Sequence, residues 1–193
     1  DGVIRVHGIY TDEFSSNVHI LDNTVSGVNG GGIFLHRVNN IQVENNKSFG
    51  NLYGIMYHRH EAGEFYNNDI QNNQFVARTN DQRAVFVYSE VATNDISKWG
   101  VIDNNYYTRP NNEDGRMIRV DLGPGVRLFN IKTWQMFSEM DNSSQASRVP
   151  GDGDSDIRLE YNPSDAEKVI PLDGMYGSID GTFYNNSVTL SPY

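Results

Sequence analysis

Apolar residues and asparagines recur along the chain in one motif. The motif places Ile or Val three positions before Asn, and its four copies superpose without gaps: Ile20–Asn23, Val43–Asn46, Ile70–Asn73 and Ile102–Asn105. The copies follow one another at intervals of 23, 27 and 32 residues. Self-similarity at such periods indicates a solenoid, in which each repeat stacks on its neighbour.

A second set of segments alternates apolar and polar residues with a period of two. This alternation predicts strands whose outer two residues face a core. The segments are Ile4–Val6, Ile33–Leu35, Ile55–Tyr57, Val85–Val87 and Ile118–Val120. Two strand registers that recur together define one coil, so we predict an all-β parallel β-helix.

The aligned asparagines predict how the corners of the coil are stabilised. A buried Asn side chain offers two donors and an acceptor, so stacked amides can bond one another and the backbone that leaves the sheet. Asparagine also tolerates the left-handed backbone that a tight corner requires. Chance asparagine-richness in surface loops is the alternative. Leucine-rich repeats also carry an Asn ladder, but their dense leucine spacing is missing here.

The pattern changes character in the last third of the chain. We predict β-helix coils over residues 1–133, an irregular linker over 134–156 and a small antiparallel β unit over 157–193. In that unit, the segment 157–161 reads as a short strand ahead of further strands. We expect the unit to cap or pack beside the coil, since an open coil end is a bare sheet edge.

Composition narrows the classes of function. The 193 residues suit one domain, and the absence of cysteine excludes disulfides, thiol catalysis and Cys-based zinc sites. A formal net charge of −10 opposes a nucleic-acid partner. No apolar run is long enough for a membrane span. The chain opens at Asp1, and we expect a trimmed product or a piece of a longer polypeptide.

The repeat pattern resembles a known class of proteins. The spacing Gly-Ile-x-Leu followed by Asn-x-x-x-x-Asn is similar to the right-handed parallel β-helix repeat of secreted bacterial polysaccharide lyases, C5-epimerases and some glycoside hydrolases. The stretch from Gly32 to Arg59 looks most like epimerase coils, although the Asp-Pro-His motif of those enzymes is not present. The tail from Trp134 onward resembles the C-terminal region of β-helix glycosidases. The resemblance implies a secreted or cell-surface protein.

The second register also places side chains in columns on the outer face of the coil. One column contains Arg5, Phe34, Met56, Phe86 and Arg119. The next contains His7, His36, His58, Tyr88 and Asp121, with Arg37 and Arg59 beside it and His60 at a loop edge. Rungs lie about 4.8 Å apart, so these residues would form a continuous stripe.

The stripe is suited to a saccharide groove. Aromatic rings would stack on sugars, and arginine would pair with a uronate carboxylate or a sulfate. In a lyase or epimerase the arginine neutralises the carboxylate while an acid–base pair moves a proton. We predict His58 and Tyr88 as that pair, and Arg59 or Arg37 as the clamp. The predicted substrate-binding residues are Phe34, His36, Arg37, His60, Phe86, Arg119 and Asp121. A polar ladder of stacked residues without function is the alternative.

The sequence gives only weak evidence for metal binding. His58 and His60 alternate along a predicted strand and would face opposite ways unless a turn intervenes. We therefore predict no metal ligands on the stripe and no required cofactor. Asp152, Asp154 and Asp156 have the alternation of a calcium loop, but Pro163 stands where a bidentate Glu is needed.

These observations favour an extracellular protein that binds or processes a polysaccharide, uronate-containing or sulfated, as a fragment or C-terminal part of a lyase or glycoside hydrolase. The alternative is a non-catalytic β-helix that serves as an adhesin or surface scaffold.

Overall fold

The chain winds into four coils of parallel strands. The computed structural model describes residues 4–61, 64–92, 95–109, 116–123, 125–146, 157–179 and 181–192. The coils comprise, in order, β1 (Ile9–Thr11), β2 (His19–Leu21) and β3 (Thr24–Ser26); β4 (Gly31–His36), β5 (Gln42–Glu44) and β6 (Lys47–Phe49); β7 (Tyr53–Arg59), β8 (Asn68–Gln71) and β9 (Gln74–Val76); and β10 (Arg83–Ser89), β11 (Gly100–Asp103) and β12 (Tyr106–Thr108). A 3₁₀ helix, Ile96–Lys98, precedes β11.

Equivalent strands of successive coils form three parallel sheets. The first sheet orders β1, β4, β7 and β10, and continues with β13 (Ile118–Leu122) and the antiparallel strand β14 (Gly125–Phe129). The second sheet contains β2, β5, β8 and β11, and the third contains β3, β6, β9 and β12. The predicted parallel β-helix is confirmed.

The asparagine ladder lies between the second and third sheets. The Nδ2 of Asn23 donates to Oδ1 of Asn46, Asn46 donates to Asn73, and Asn73 donates to Asn105, each at 3.0 Å. The same Oδ1 atoms accept the backbone N–H of the asparagine one coil earlier, at 2.9 Å. The predicted ladder is confirmed, and it satisfies corner groups that no sheet can pair.

The left-handed corner falls one residue before each ladder asparagine. Asp22, Asn45, Asn72 and Asn104 have φ angles of 57°, 57°, 58° and 57°. The left-handed conformation predicted for the ladder residues themselves is therefore wrong by one position. The preceding residue bends the chain, and the ladder residue then points its amide into the coil.

Inward apolar residues from all three sheets fill the coil. Ile33, Ile55, Val85 and Ile118 are completely buried on the first sheet. Val43 and Ile70 are equally buried on the second, and Phe75 stacks on Tyr107 behind the third, with ring centroids 5.5 Å apart. Packing of like side chains at each rung fixes the register of the coils.

The first coil departs from the predicted alignment. Ile9 pairs with Ile33 and Tyr10 with Phe34, whereas Ile4 and Val6 are 82% and 56% exposed. The predicted strand at Ile4–Val6 is therefore wrong, and Arg5 and His7 do not occupy the expected positions in the columns. Tyr10 takes the place assigned to Arg5.

A helix closes the far end of the coil where the sequence predicted an irregular linker. Helix α1 (Ile131–Ser138) begins at Asn130, whose side chain accepts a hydrogen bond from the N–H of Thr133. Trp134 is 1% exposed and donates its Nε1–H to Asp141 at 2.7 Å. Ser144 then takes the next ladder position, because its hydroxyl accepts the N–H of Asn105 at 2.9 Å.

The tail forms an antiparallel hairpin, as predicted. Its strands are β15 (Lys168–Gly177) and β16 (Phe183–Leu190), with a register shift between Pro171 and Met175. The segment 157–161 is not a strand, contrary to the prediction. The capping role of the unit stays a prediction. None of the helices in the described ranges has the length and apolar character needed to cross a bilayer.

Replacing a central ladder residue should destabilise the fold strongly. The Asn73 side chain donates to the carbonyls of Val43 and Gln71 and bonds both neighbouring ladder residues. We expect Asn73→Ala to lower the free energy of unfolding by about 2–4 kcal/mol, because several buried polar groups lose partners. Urea denaturation measures this. Asn23→Ala, at the half-buried end of the ladder, is the control and should cost about 1 kcal/mol; equal losses would contradict a cooperative ladder.

The buried carboxyl of Asp141 should make stability depend on pH. Burial raises its pKa to about 6, although Ser144, Trp134 and Tyr107 donate hydrogen bonds that oppose the shift. Since the unfolded chain releases this proton first, the stability contribution of Asp141 is full below pH 3.8 and falls as the pH rises towards 6. The stability advantage of the wild type over Asp141→Asn should therefore shrink across this window in denaturation curves. A gap that widens with pH would contradict the raised pKa.

Candidate functional site

The outer face of the first sheet carries two rows of side chains that the strand register aligns. In one row Tyr10, Phe34, Met56, Phe86 and Arg119 lie opposite one another in successive strands. In the other row the order is His36, His58, Tyr88 and Asp121. The register confirms that the predicted residues align, while their roles stay predictions. We call Tyr10, Phe34, His36, His58, Phe86 and Tyr88 the aromatic strip.

The middle of the first row is covered rather than open. Phe34 and Met56 are 8% and 7% exposed, and they pack in a second apolar cluster with Tyr53. Phe86 is half-buried against this cluster, with its ring 4.6 Å from that of Tyr53. Phe34 therefore supports its neighbours, while Tyr10 is 48% exposed and the Tyr88 ring is partly exposed, like that of Phe86.

Three histidines converge on this face, two of them from the aromatic strip. The rings of His36 and His58 stack with centroids 4.5 Å apart, and His60 lies 4.6 Å from His58 and 5.4 Å from His36. The Nε2 atoms of His36 and His60 are 3.2 Å apart. We call these three residues the histidine cluster; Tyr88 packs edge-on to His58, at 4.6 Å.

His60 shares this face with His58 because residues two apart along an extended chain point to the same side. Strand β7 ends at Arg59, and residues 60–61 form a bend. The carboxylate of Glu64 holds the bend by accepting the backbone N–H groups of His60 and Glu61 at 3.0 and 2.9 Å. The expectation that His58 and His60 face opposite ways is wrong, because residues two apart along a strand lie on one face and only Arg59 between them points inward.

Carboxylates contact the Nδ1 atoms of His36 and His60. The Nδ1 of His36 lies 3.0 Å from Asp12, which also accepts the Tyr10 hydroxyl at 2.6 Å. This hydroxyl bond lowers the pKa of Asp12, and burial followed by the same bond raises the pKa of Tyr10 to about 12. The Nδ1 of His60 lies 3.3 Å from Glu90. These contacts fix the ring orientations of His36 and His60.

The Nε2 atom of His58 is buried. Burial, and then the neighbouring charges of His36 and His60, lower its pKa to about 4. His58 is therefore neutral at pH 7. A neutral imidazole can accept a proton or bind a metal ion.

Arg59 does not lie on the outer face. Its side chain is 1% exposed and points into the coil, where Nε donates to the Ser89 hydroxyl at 2.9 Å and the guanidinium lies over Trp99. It also forms an ion pair with Asp95. The predicted position of Arg59 as a carboxylate clamp beside His58 is wrong, because an odd-numbered position of β7 alternates inward.

The other predicted cations have partners of their own. Arg37 forms ion pairs with Glu64 and, at 2.9 Å, with Glu13. Arg119 lies over the Phe86 ring, 4.9 Å from its centroid, and 3.4 Å from Asp121. Both arginines remain partly exposed and adjoin the face, so the stripe is balanced in charge rather than basic.

Sequence reasoning misses Tyr10, and it treats Asp12 and Glu90 as loop carboxylates without placing them beside the histidines. Alignment of the first coil on Ile4 instead of Ile9 hides the positions of Tyr10 and Asp12. Alignment on Ile9-Tyr-Thr11, 24 residues before Ile33, carries the signal that would have found them. The acidic triplet Asp152, Asp154 and Asp156 lies outside the described residues.

The comparison with protein families agrees with the architecture. A family model described as a right-handed β-helix region matches residues 4–75, which span the first three coils. Together with the parallel sheets, the match identifies the repeat as right-handed. No curated protein and no solved structure gives a significant match to the chain. The match describes architecture, so function has to be argued from the site.

Removing Arg59 should damage the fold. We expect Arg59→Met to lower the free energy of unfolding by about 2–4 kcal/mol, because Asp95 would keep a half-buried charge without its partner. Chemical denaturation provides the measurement. The exposed Arg116→Met is the control, and a change within about 0.5 kcal/mol is expected for it. Unchanged stability in Arg59→Met would contradict this structural role.

Proposed function

We propose that this protein is extracellular and binds a polysaccharide along the aromatic strip. The observation that carries the proposal is the alternation of accessible rings and paired polar groups across successive strands of one rigid sheet. Spaced about 4.8 Å per rung, the five strands from β1 to β13 present a surface about 19 Å long. Such a surface suits an extended polymer more than a small ligand.

The chemistry of the strip matches that of a sugar chain. The Tyr10 and Tyr88 rings are accessible and amphipathic, so they can pack against the apolar faces of sugar rings. Asp121 and Arg119 at one end, and Asp12 at the other, provide acceptors and donors for hydroxyl groups. The sheet fixes these groups in place, which lowers the entropic cost of binding.

The same strip contains a pair suited to proton transfer. Neutral His58 serves as the base and Tyr88, in contact with it, as the acid. A lyase or epimerase also needs a cation on the substrate carboxylate, and Arg59 cannot provide one. Binding is therefore the function that the geometry supports best, and processing by His58 and Tyr88 is the second part of the proposal.

The binding proposal is tested with a panel of polyuronates and sulfated glycans, using calorimetry on the untagged chain. We expect Tyr10→Ala and Tyr88→Ala each to weaken binding about 5- to 10-fold, since a stacked ring contributes roughly 1 kcal/mol. Tyr66→Ala, an exposed tyrosine away from the strip, is the matched control and should bind like the wild type.

Turnover is followed in the same samples by absorbance of unsaturated products and by assay of reducing ends. Product formation that is lost in His58→Gln would support processing. Binding without turnover would assign the protein to the adhesin or scaffold class. No binding across the panel, or equal binding by all three tyrosine variants, would overturn the polysaccharide proposal.

A further inference from the structure

We propose that His36, His58 and His60 bind a divalent transition metal ion, with Zn²⁺ as the best fit. One ligand nitrogen of each ring lies within 4.8 Å of those of the other two. The proposal does not depend on polysaccharide binding, because it rests on the convergence of three imidazoles from two coils and one bend. An ion bound to His58 would replace the role of that ring as a base.

The distance between the two outer rings suits a shared ion. Two nitrogens that bind zinc at ~2.05 Å in tetrahedral geometry lie about 3.3 Å apart. The Nε2 atoms of His36 and His60 are 3.2 Å apart. The ligand nitrogens of all three rings lie within 4.8 Å of one another.

The contacts at Nδ1 of His36 and His60 are typical of histidines that bind a metal through Nε2. Histidines that bind a metal through one nitrogen usually hold the other against a carboxylate, which fixes the ring and makes it a better ligand. Asp12 lies on Nδ1 of His36 and Glu90 on Nδ1 of His60, at 3.0 and 3.3 Å. Both rings therefore present Nε2 towards each other with their other nitrogen already engaged.

His58 contributes a second, independent observation. Its Nε2 is buried and has no hydrogen-bond partner in the described part of the chain. A buried polar atom without a partner is costly in a folded protein, and it often marks a ligand position.

The donor set and its charge select the kind of ion. Imidazole nitrogens prefer zinc, copper and nickel over calcium and magnesium, which take oxygen ligands. Asp12, Glu13 and Glu90 surround the cluster and favour a cation. Three histidines leave one position of a tetrahedral ion for water or substrate. Glu13, with Oε1 3.7 Å from Nε2 of His36, is the nearest further protein ligand.

A stacked histidine ladder that binds no ion is the competing explanation. In that case the 3.2 Å contact is a hydrogen bond in which one imidazole donates to the other. The two explanations differ in stoichiometry and in their response to substitution.

The test is a titration of the untagged, chelator-treated full chain with ZnCl₂, in competition with a chromophoric chelator. We expect one Zn²⁺ per chain, and loss of saturable binding in His36→Gln and His60→Gln. His60→Gln replaces a partly exposed residue beyond the strand, so it tests the proposal even if a His58 variant fails to fold. His19→Gln, an exposed histidine on the second sheet, is the matched control and should bind normally.

Glu90→Gln tests the positioning carboxylate and should weaken Zn²⁺ binding about 10- to 100-fold. Substitution by Co²⁺ should give the absorption bands of tetrahedral coordination in the wild type and not in His60→Gln. No saturable Zn²⁺ binding, or binding that His60→Gln leaves unchanged, would overturn the metal site. Glycan binding by the metal-free protein would leave the proposed function standing.

Discussion

The hydrogen bond from one asparagine amide to the next is the interaction on which this structure depends. Each coil leaves backbone groups unpaired at its corner, and a stacked amide satisfies them while also bonding the coil below. Because one side chain serves two coils, a coil cannot shift along its neighbour without breaking several buried bonds. The ladder thus fixes the register of the coils, and this register aligns the side chains of the aromatic strip.

The middle coils could be predicted from the sequence because every corner of a coil needs the same residues. An inward Ile or Val followed by a buried Asn is needed at every corner, and Val43–Asn46 and Ile70–Asn73 carry it unchanged. The first coil could not, because its strand breaks the pattern that the middle coils share. There Ile4 and Val6 imitate a strand, while the actual strand Ile9–Thr11 has a polar residue inside.

The sequence analysis went wrong at the end of β7, where the parity of the strand positions decides which side chains point outward. His58 and His60 are two apart and lie on one face, while Glu64 holds the bend that follows by accepting the N–H of His60. Arg59 was placed outside although its parity points inward, since buried arginine is rare without a partner and Asp95 is distant in sequence. Helix α1 had a readable signal in Asn130 and Thr133, which form a capping box.

Stacking in a β-helix brings titratable groups closer than a single strand would, and this carries an electrostatic cost. The buried Nε2 of His58 lies beside His36 and His60, and burial followed by their charges lowers the pKa of His58 to about 4. The carboxylates of Asp12, Glu13 and Glu90 adjoin the other two rings. The guanidinium of Arg59 is buried and that of Arg37 is bound to Glu13 and Glu64. A cation held by His36, His58 and His60 would offset the carboxylates and supply the positive charge that an acidic sugar needs. On this argument the fold places a metal-type donor set where arginine is not available.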